Sequence, residues 1–267
     1  MKVASIYTLL GVLLVVATIA STVYGAVDIQ LHEMSSALKK WMFTGEKMTL
    51  TEQIFIDIRL PRAILTIVVG ASLAVGGVLM QGLFLNPIVE PGLIGTSSGA
   101  AFGAALYFTL GAAFDFSTGE WTLPIAACLG GMIATFMVYY LSRSHAKHSS
   151  IITLLLIGIA INALFLSGVG FLSYIARDPQ ARSITFWNLG TLSGANWQSV
   201  VVVGITCVVC VFFGLRYAKQ LNALMLGEVE AEHLGISVRK LKMRVLTVNV
   251  ILVSIATAFT GVIGFIG

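Results

Sequence analysis

Residues 63–89 read AILTIVVGASLAVGGVLMQGLFLNPIV, 27 consecutive positions without a charge. A helix needs about 20 residues to cross the hydrocarbon core of a bilayer, so this run can span one. It is dense in Leu, Ile, Val, Ala and Gly and lacks the strict alternation of a barrel strand. Six further uncharged runs accompany it: Ile6–Val27, Pro91–Phe114, Trp121–Ser142, Ser149–Ala176, Ser183–Leu215 and Val245–Gly267. Over all 267 residues, 57% are apolar and only 10% charged, whereas soluble chains carry about 25% charge. So few charges cannot cover a water-soluble surface of this size. The reading is an all-α polytopic membrane helix bundle of seven spans, a single transmembrane domain over residues 1–267. Ile6–Val27 is too long for a cleaved signal segment, and no A-x-A-like site precedes Asp28.

Orientation follows from the distribution of Lys and Arg. With the N-terminus inside, the inner segments hold nine Lys and Arg and four acids, and the outer segments hold seven and eight. The net charges are +5 and −1, so the N-terminus is expected in the cytoplasm. The overall +4 then reflects membrane topology and gives no indication of nucleic acid. Residues 28–62 form an outer segment, and residues 216–244 form the one long inner segment.

Absences narrow the function. No Asp, Glu, Lys or Arg lies within the seven runs, whereas proton-coupled carriers need intramembrane ionisable relays. The four histidines (His32, His145, His148, His233) all fall in connecting segments, so no helix-borne metal centre is encoded. Cys207 and Cys210 sit in a Val-rich run without partner ligands, which favours packing over metal or redox chemistry. No catalytic constellation and no G-x-x-x-x-G-K-[ST] loop is present. The chain is therefore expected to be no enzyme and to bind no cofactor, and energy for uphill movement must come from another chain.

Local signals position the candidate functional residues. Leu31, Met34, Leu38, Trp41 and Met42 recur at helical spacing, which predicts a surface-lying helix. Thr49 and Glu52 can form a capping box. Arg59-Leu60-Pro61-Arg62 opens the second span, with Pro61 suited to a first turn. Its two arginines admit two readings: snorkelling to lipid phosphates, or bidentate docking of carboxylates on an external partner. Gly95, Gly99 and Gly103, spaced by four, strip one helix face for close packing. Between spans two and three, Gln81 to Gly92 carries Asn86-Pro87 and Glu90-Pro91, which force a non-helical turn at membrane depth. Its backbone must be buried in protein or water-lined, with Gln81, Asn86 and Glu90 as polar supports. Gly158 and Asn162 in span five and Asn249 in span seven are the other polar or small features. Asp178-Pro179 reads as an N-cap and N1 pair opening a short outer helix, with Phe186, Trp187 and Trp197 at headgroup level. In the inner segment, acids (Glu228, Glu230, Glu232) precede bases (Arg239, Lys240, Lys242, Arg244), a polarity that suits helix dipoles. Two short helices separated near Gly235 would present Leu224, Met225, Val229 and Leu234 as an apolar stripe. That stripe could lie on lipid or enter a groove on a soluble partner.

In this order the pieces resemble the permease subunits of bacterial ABC importers for iron chelates and vitamin B12, the FecCD or BtuC-like family. The match is carried by Ile58-Arg59-Leu60-Pro61-Arg62, Gly70-Ala71-Ser72-Leu73-Ala74 to Gln81, and Asn86-Pro87-Ile88-Val89-Glu90-Pro91-Gly92-Leu93-Ile94-Gly95. Leu226-Gly227-Glu228 with Leu234-Gly235, and Gly261 to Gly267, complete it. The resemblance implies a homodimer with the translocation path between subunits and a bundle of about ten spans in full-length members. It implies that Arg59 and Arg62 dock a periplasmic or lipid-anchored substrate-binding protein. It also implies that Leu226, Gly227, Glu228, Ala231, Leu234 and Gly235 engage a cytoplasmic ATPase, which carries the ATP and Mg²⁺. Gln81, Asn86, Pro87, Gly158 and Asn162 become path residues by the same likeness, and Ser149 and Ser150 a cytoplasmic gate. The expected location is the bacterial inner membrane, and the expected cargo an iron chelate, siderophore or haem. Cobalamin is the alternative cargo, and a stand-alone secondary carrier or channel the alternative mechanism. Members of the family usually continue past the Gly-Phe-Ile-Gly stretch, so a chain ending at Gly267 reads as C-terminally truncated.

Overall fold

The structure, a computed structural model, describes residues 3–45, 47–113, 119–144 and 151–264. Among these residues there is no strand. The helices are α1 (Val3–Val23), α2 (Leu31–Lys39), α3 (Leu50–Ile54), α4 (Leu60–Phe84), α5 (Thr96–Ala113) and α6 (Thr122–Ser144), followed by α7 (Ile151–Ile175), α8 (Asp178–Leu189), α9 (Trp197–Leu224), α10 (Glu228–His233) and α11 (Val238–Thr260). Six helical stretches are long and apolar enough to cross a membrane: those of α1, α6, α7, α9 and α11, and the continuous stretch Leu50–Phe84 that ends in α4. The run Pro91–Phe114, expected as a seventh span, produces α5, which is not among the six. Its first residues form turns up to Gly95, leaving a helix of 18 residues built largely of Gly and Ala. Ala100, Ala101, Ala104 and Ala105 on it are buried.

The expected single domain divides into two compact units, Met1–Ile67 with Ala195–Val201, and Val68–Gly194 with Val202–Gly267. In the first, α1 is apolar around its whole circumference and exposed along most of its length, as a helix dissolved in lipid should be. The predicted surface helix is present as α2 followed by a π-helical turn, Lys40–Thr44. Met34 packs on the small core of Ile29, Ala37, Phe55 and Ile56, while Leu31, Trp41 and Met42 stay exposed. The Thr49–Glu52 capping box forms: the Thr49 N–H donates to Glu52 Oε2 at 2.7 Å, and Thr49 Oγ1 accepts from the Glu52 N–H. The Glu52 carboxylate also takes Ser36 Oγ at 2.7 Å and Lys40 Nζ at 2.9 Å, so a buried charge is fully partnered. Trp197 stacks on Trp41 with centroids 5.2 Å apart, and its indole N–H donates to the Ile56 carbonyl. That bond ties Trp197 to protein, a more inward role than a headgroup anchor.

In the second unit the glycine spacing does what its pattern implies. A Cβ on Gly99 would lie 2.4 Å from the Gly130 carbonyl oxygen, and one on Gly130 would lie 2.2 Å from the Gly99 oxygen. A Cβ on Gly103 would meet the Ala126 oxygen at 2.2 Å. α5 and α6 therefore touch backbone to backbone, the close approach small residues allow where no hydrophobic effect drives association. The principal core joins Leu79, Met80 and Leu83 of α4 with Val138, Leu154, Ile161, Leu224, Leu241 and Leu252. Cys207 and Cys210 are buried and free among these apolar neighbours, in keeping with the packing reading. The α8 start is shifted by one residue from expectation: Arg177 is the N-cap, and Asp178 and Pro179 occupy the first two helical positions. Proline is tolerated throughout a first turn, so the motif permits either register.

The α5–α6 contact sets an expectation opposite to helix propensity. Gly99→Ala should lower thermal stability in detergent, by about 1–3 kcal/mol for an overpacked core, although Ala favours helices. Gly204→Ala, where nothing lies within 4 Å of the new methyl, should be neutral or slightly stabilising. Equal melting behaviour of the two variants would refute the backbone contact.

Candidate translocation and coupling site

α4 stops at Phe84 because the chain behind it cannot continue a helix. Leu85 adopts a φ of +53°, and Pro87 and Pro91 lack N–H donors and disfavour helical backbone in the residues before them. Residues 85–95 consequently run as turns, with Val89, Pro91, Gly92, Ile94 and Gly95 buried. Buried backbone at membrane depth must find its partners in the protein. Asn86 Oδ1 accepts from the Ile88 N–H at 3.0 Å. Asn249 Nδ2, from α11, donates to the Pro91 carbonyl at 3.0 Å. Asn162 Nδ2, from α7, donates to the Leu93 carbonyl, while its Oδ1 accepts from Ser98 Oγ.

Glycines let these helices come near. A Cβ on Gly158 would rest 3.4 Å from the Leu93 oxygen and 3.5 Å from Ile94 Cα, and one on Gly76 would sit 2.9 Å from Asn249 Oδ1. Gly158 and Asn162, expected to line a path, are thus turned towards the 85–95 segment and hold it. Gln81, Asn86 and Pro87 border a groove of about 780 Å³ between α4 and α9, whose walls are otherwise mainly apolar (Ala74, Val78, Leu79, Leu215, Leu221). Ser149 and Ser150, the expected gate residues, lie outside the described residues.

Of the inner segment 216–244, the first part continues α9 to Leu224 and the last opens α11 at Val238, so in place of two short helices there is one, α10, between two glycines with positive φ, Gly227 at +125° and Gly235 at +81°. Side chains there would strain the backbone. Leu226, Val229 and Leu234 are exposed, and Met225 extends the patch. Leu224, expected on that stripe, is instead fully buried in the core, where Ala231 joins it. The stripe therefore runs Met225, Leu226, Val229, Leu234. Glu228 points inward: its Oε2 pairs with Lys242 Nζ at 2.8 Å, and its Oε1 accepts the Ile151 N–H at 3.2 Å. Sequence reasoning overlooked Lys242 as an internal residue. The available signal was its register, four residues after Val238 and three before Val245, on the inward stripe of α11.

Arg59, expected to dock an external protein, is engaged within its own unit. Its guanidinium donates to the carbonyls of Thr22 and Val23 at 2.7 Å and to that of Val27. The first two carbonyls close α1, where intrahelical donors have run out, and Val27 lies just beyond it. Arg62, on the first turn of α4, is exposed.

A broken segment gripped by polar side chains of two spans, and a short polar helix flanked by exposed apolar residues, belong to a multi-pass membrane protein. The chain belongs to the FecCD transport family, whose family model matches residues 13–267. It is 38% identical over 256 residues to the hemin transport system permease protein HmuU of Yersinia pestis, covering 96% of this chain and 74% of that protein. It is 37% identical to the cobalamin import system permease protein BtuC of Halobacterium salinarum, covering 81% and 57%. The molybdate import system permease protein MolB of Haemophilus influenzae matches at 32% identity, covering 97% and 75%. A solved inward-facing metal-chelate type ABC transporter superposes with a TM-score of 0.83 at 29% identity, covering 99% of this chain and 78% of that one. The protein is accordingly the permease component of an ABC importer and not an enzyme.

The two asparagines make a measurable pair. Asn162→Leu or Asn249→Leu should each cost about 1–2 kcal/mol, the usual worth of a side-chain hydrogen bond between membrane helices. Because both secure one turn, the double variant should lose less than the two losses added together. Strict additivity in thermal denaturation would show that they act on separate structures.

Proposed function

We propose that this chain is the membrane gate of an ATP-driven importer for an iron chelate, haem or siderophore-bound iron, working as a homodimer in the bacterial inner membrane. Its N-terminus lies in the cytoplasm, α5 supplies the seventh crossing, and the cargo is handed over by a periplasmic or lipid-anchored binding protein. A separate cytoplasmic ATPase holds ATP and Mg²⁺ and docks on α10. The observation that carries this reading is the two-sidedness of α10 with its flanks: Leu226, Val229 and Leu234 are exposed, while Ala231 and Glu228 anchor the segment to the protein. An amphipathic segment of this kind fits a groove on a soluble partner.

Iron chelate is favoured as cargo because the haemin permease relative is 38% identical across 96% of this chain, while the cobalamin permease, at 37%, matches 81% of it and the molybdate permease is 32% identical. The largely apolar walls of the α4–α9 groove suit weak, transient contact with a bulky cargo. On the outer side, Arg62 takes the binding-protein contact, and Arg59 supports it by fixing the end of α1.

Leu226→Asp with Leu234→Asp should abolish co-purification of the ATPase while the permease remains monodisperse; an intact complex would rule out α10 as the docking element. In vesicles carrying the whole assembly, haemin uptake should require ATP and both partner proteins. Accumulation without the ATPase, driven by an ion gradient, would support a secondary carrier instead. Arg62→Glu should weaken binding-protein capture, most visibly at low salt.

A further inference from the structure

α10 is anchored by Ala231, which is buried in the core, and by the Glu228 carboxylate, which has two partners on two different spans. Glu228 Oε2 is paired with Lys242 of α11, and Oε1 accepts the backbone N–H of Ile151, the first residue of α7. Lys242 is only 3% exposed, so the pair joins a buried ammonium to a carboxylate that keeps part of its surface in contact with solvent. The Ile151 N–H is an orphan donor at the positive end of the α7 dipole, where a carboxylate is favoured. Helices are stiff along their axes, rising 1.5 Å per residue. Following α7 for 11 residues, about 16 Å, leads to Asn162, which holds the Leu93 carbonyl. Following α11 for seven residues, about 10 Å, leads to Asn249, which holds the Pro91 carbonyl. Both spans gripped by Glu228 thus end their reach on the same turn, two residues apart.

We infer that Glu228 is a positioning residue that transmits displacement of α10 through α7 and α11 together to the Pro91–Leu93 turn. The inference rests on the reading of α10 as the ATPase docking element and adds the route by which its motion reaches the membrane. The Glu228 carboxylate is engaged by Lys242 and Ile151, while Leu226, Val229 and Leu234 make up the exposed stripe. A push on Leu226 and Leu234 displaces the carboxylate, and the carboxylate moves two helix ends at once. α7 and α11 therefore shift in concert, and the two carbonyl grips on the turn move with them.

The test uses the assembled importer in vesicles and reads haemin transported per ATP hydrolysed, alongside ATPase co-purification and thermal stability of the complex. Glu228→Gln and, independently, Lys242→Met should leave the complex assembled and lower transport per ATP by about tenfold, within the usual range of coupling between sites. The reversed pair, Glu228→Lys with Lys242→Glu, restores the ion pair but places no acceptor at the start of α7. It should regain stability without regaining transport per ATP. Recovery of both in the reversed pair would reduce Glu228 to a fold-stabilising contact and overturn the proposal. So would wild-type transport per ATP in either single variant. Loss of the ATPase from Glu228→Gln would also overturn it, by making Glu228 a docking contact, while leaving the docking reading standing. Docking itself fails only if the Leu226→Asp, Leu234→Asp complex survives.

Discussion

Inside a bilayer a backbone carbonyl that leaves a helix has no water to turn to, and the architecture of this protein follows from that constraint. The chain breaks its own helix after Phe84 with a positive-φ leucine and two prolines, then buries the resulting turns. It can do so because Asn162 and Asn249 bring donors from two other spans, and because Gly76 and Gly158 leave room for them. Without those donors each buried carbonyl would carry the penalty of an unmade hydrogen bond. The spans are otherwise short of fixed polar groups. The few they hold are used to keep an irregular segment where a transport protein needs one.

The same economy governs charge. Among the described residues, the buried ionic groups are concentrated at the ends of helices, where Glu52 with Lys40 and Glu228 with Lys242 are each supplied with further donors. The family's membrane gate contains no chemistry to protect. On the coupling proposed above, α7 and α11 form a pair of rigid connections between α10 and the Pro91–Leu93 turn. The permease relatives named for haemin, cobalamin and molybdate are 38%, 37% and 32% identical to this chain although their names give different cargoes.

Much of this was legible before any coordinates. Uncharged runs marked the spans because charge is costly in lipid, and glycines at four-residue spacing announced the α5–α6 contact. Thr49 and Glu52 announced a cap through local geometry alone. What escaped the sequence were facts of tertiary direction. Asn162 and Asn249 stand out as polar residues in apolar spans, but nothing in either span says that both reach the same turn. Arg59 sits in a motif that suggests an outward partner, whereas the nearest unpaired carbonyls happen to be those of α1. Leu224 and Leu226 differ by two positions, and only the Gly227 turn decides which faces the core. Pro91–Phe114 looked long enough to span, but its first residues went to the turn.

The Arg59 contact bears on how the protein is made. Thr22 and Val23 reach the membrane well before Arg59, which follows 36 residues after Val23 in the chain. Until that arginine emerges from the ribosome and folds back, the last carbonyls of the first helix have only interfacial water as partners. The end of this helix is therefore completed by a residue made later, from the stretch that leads into α4.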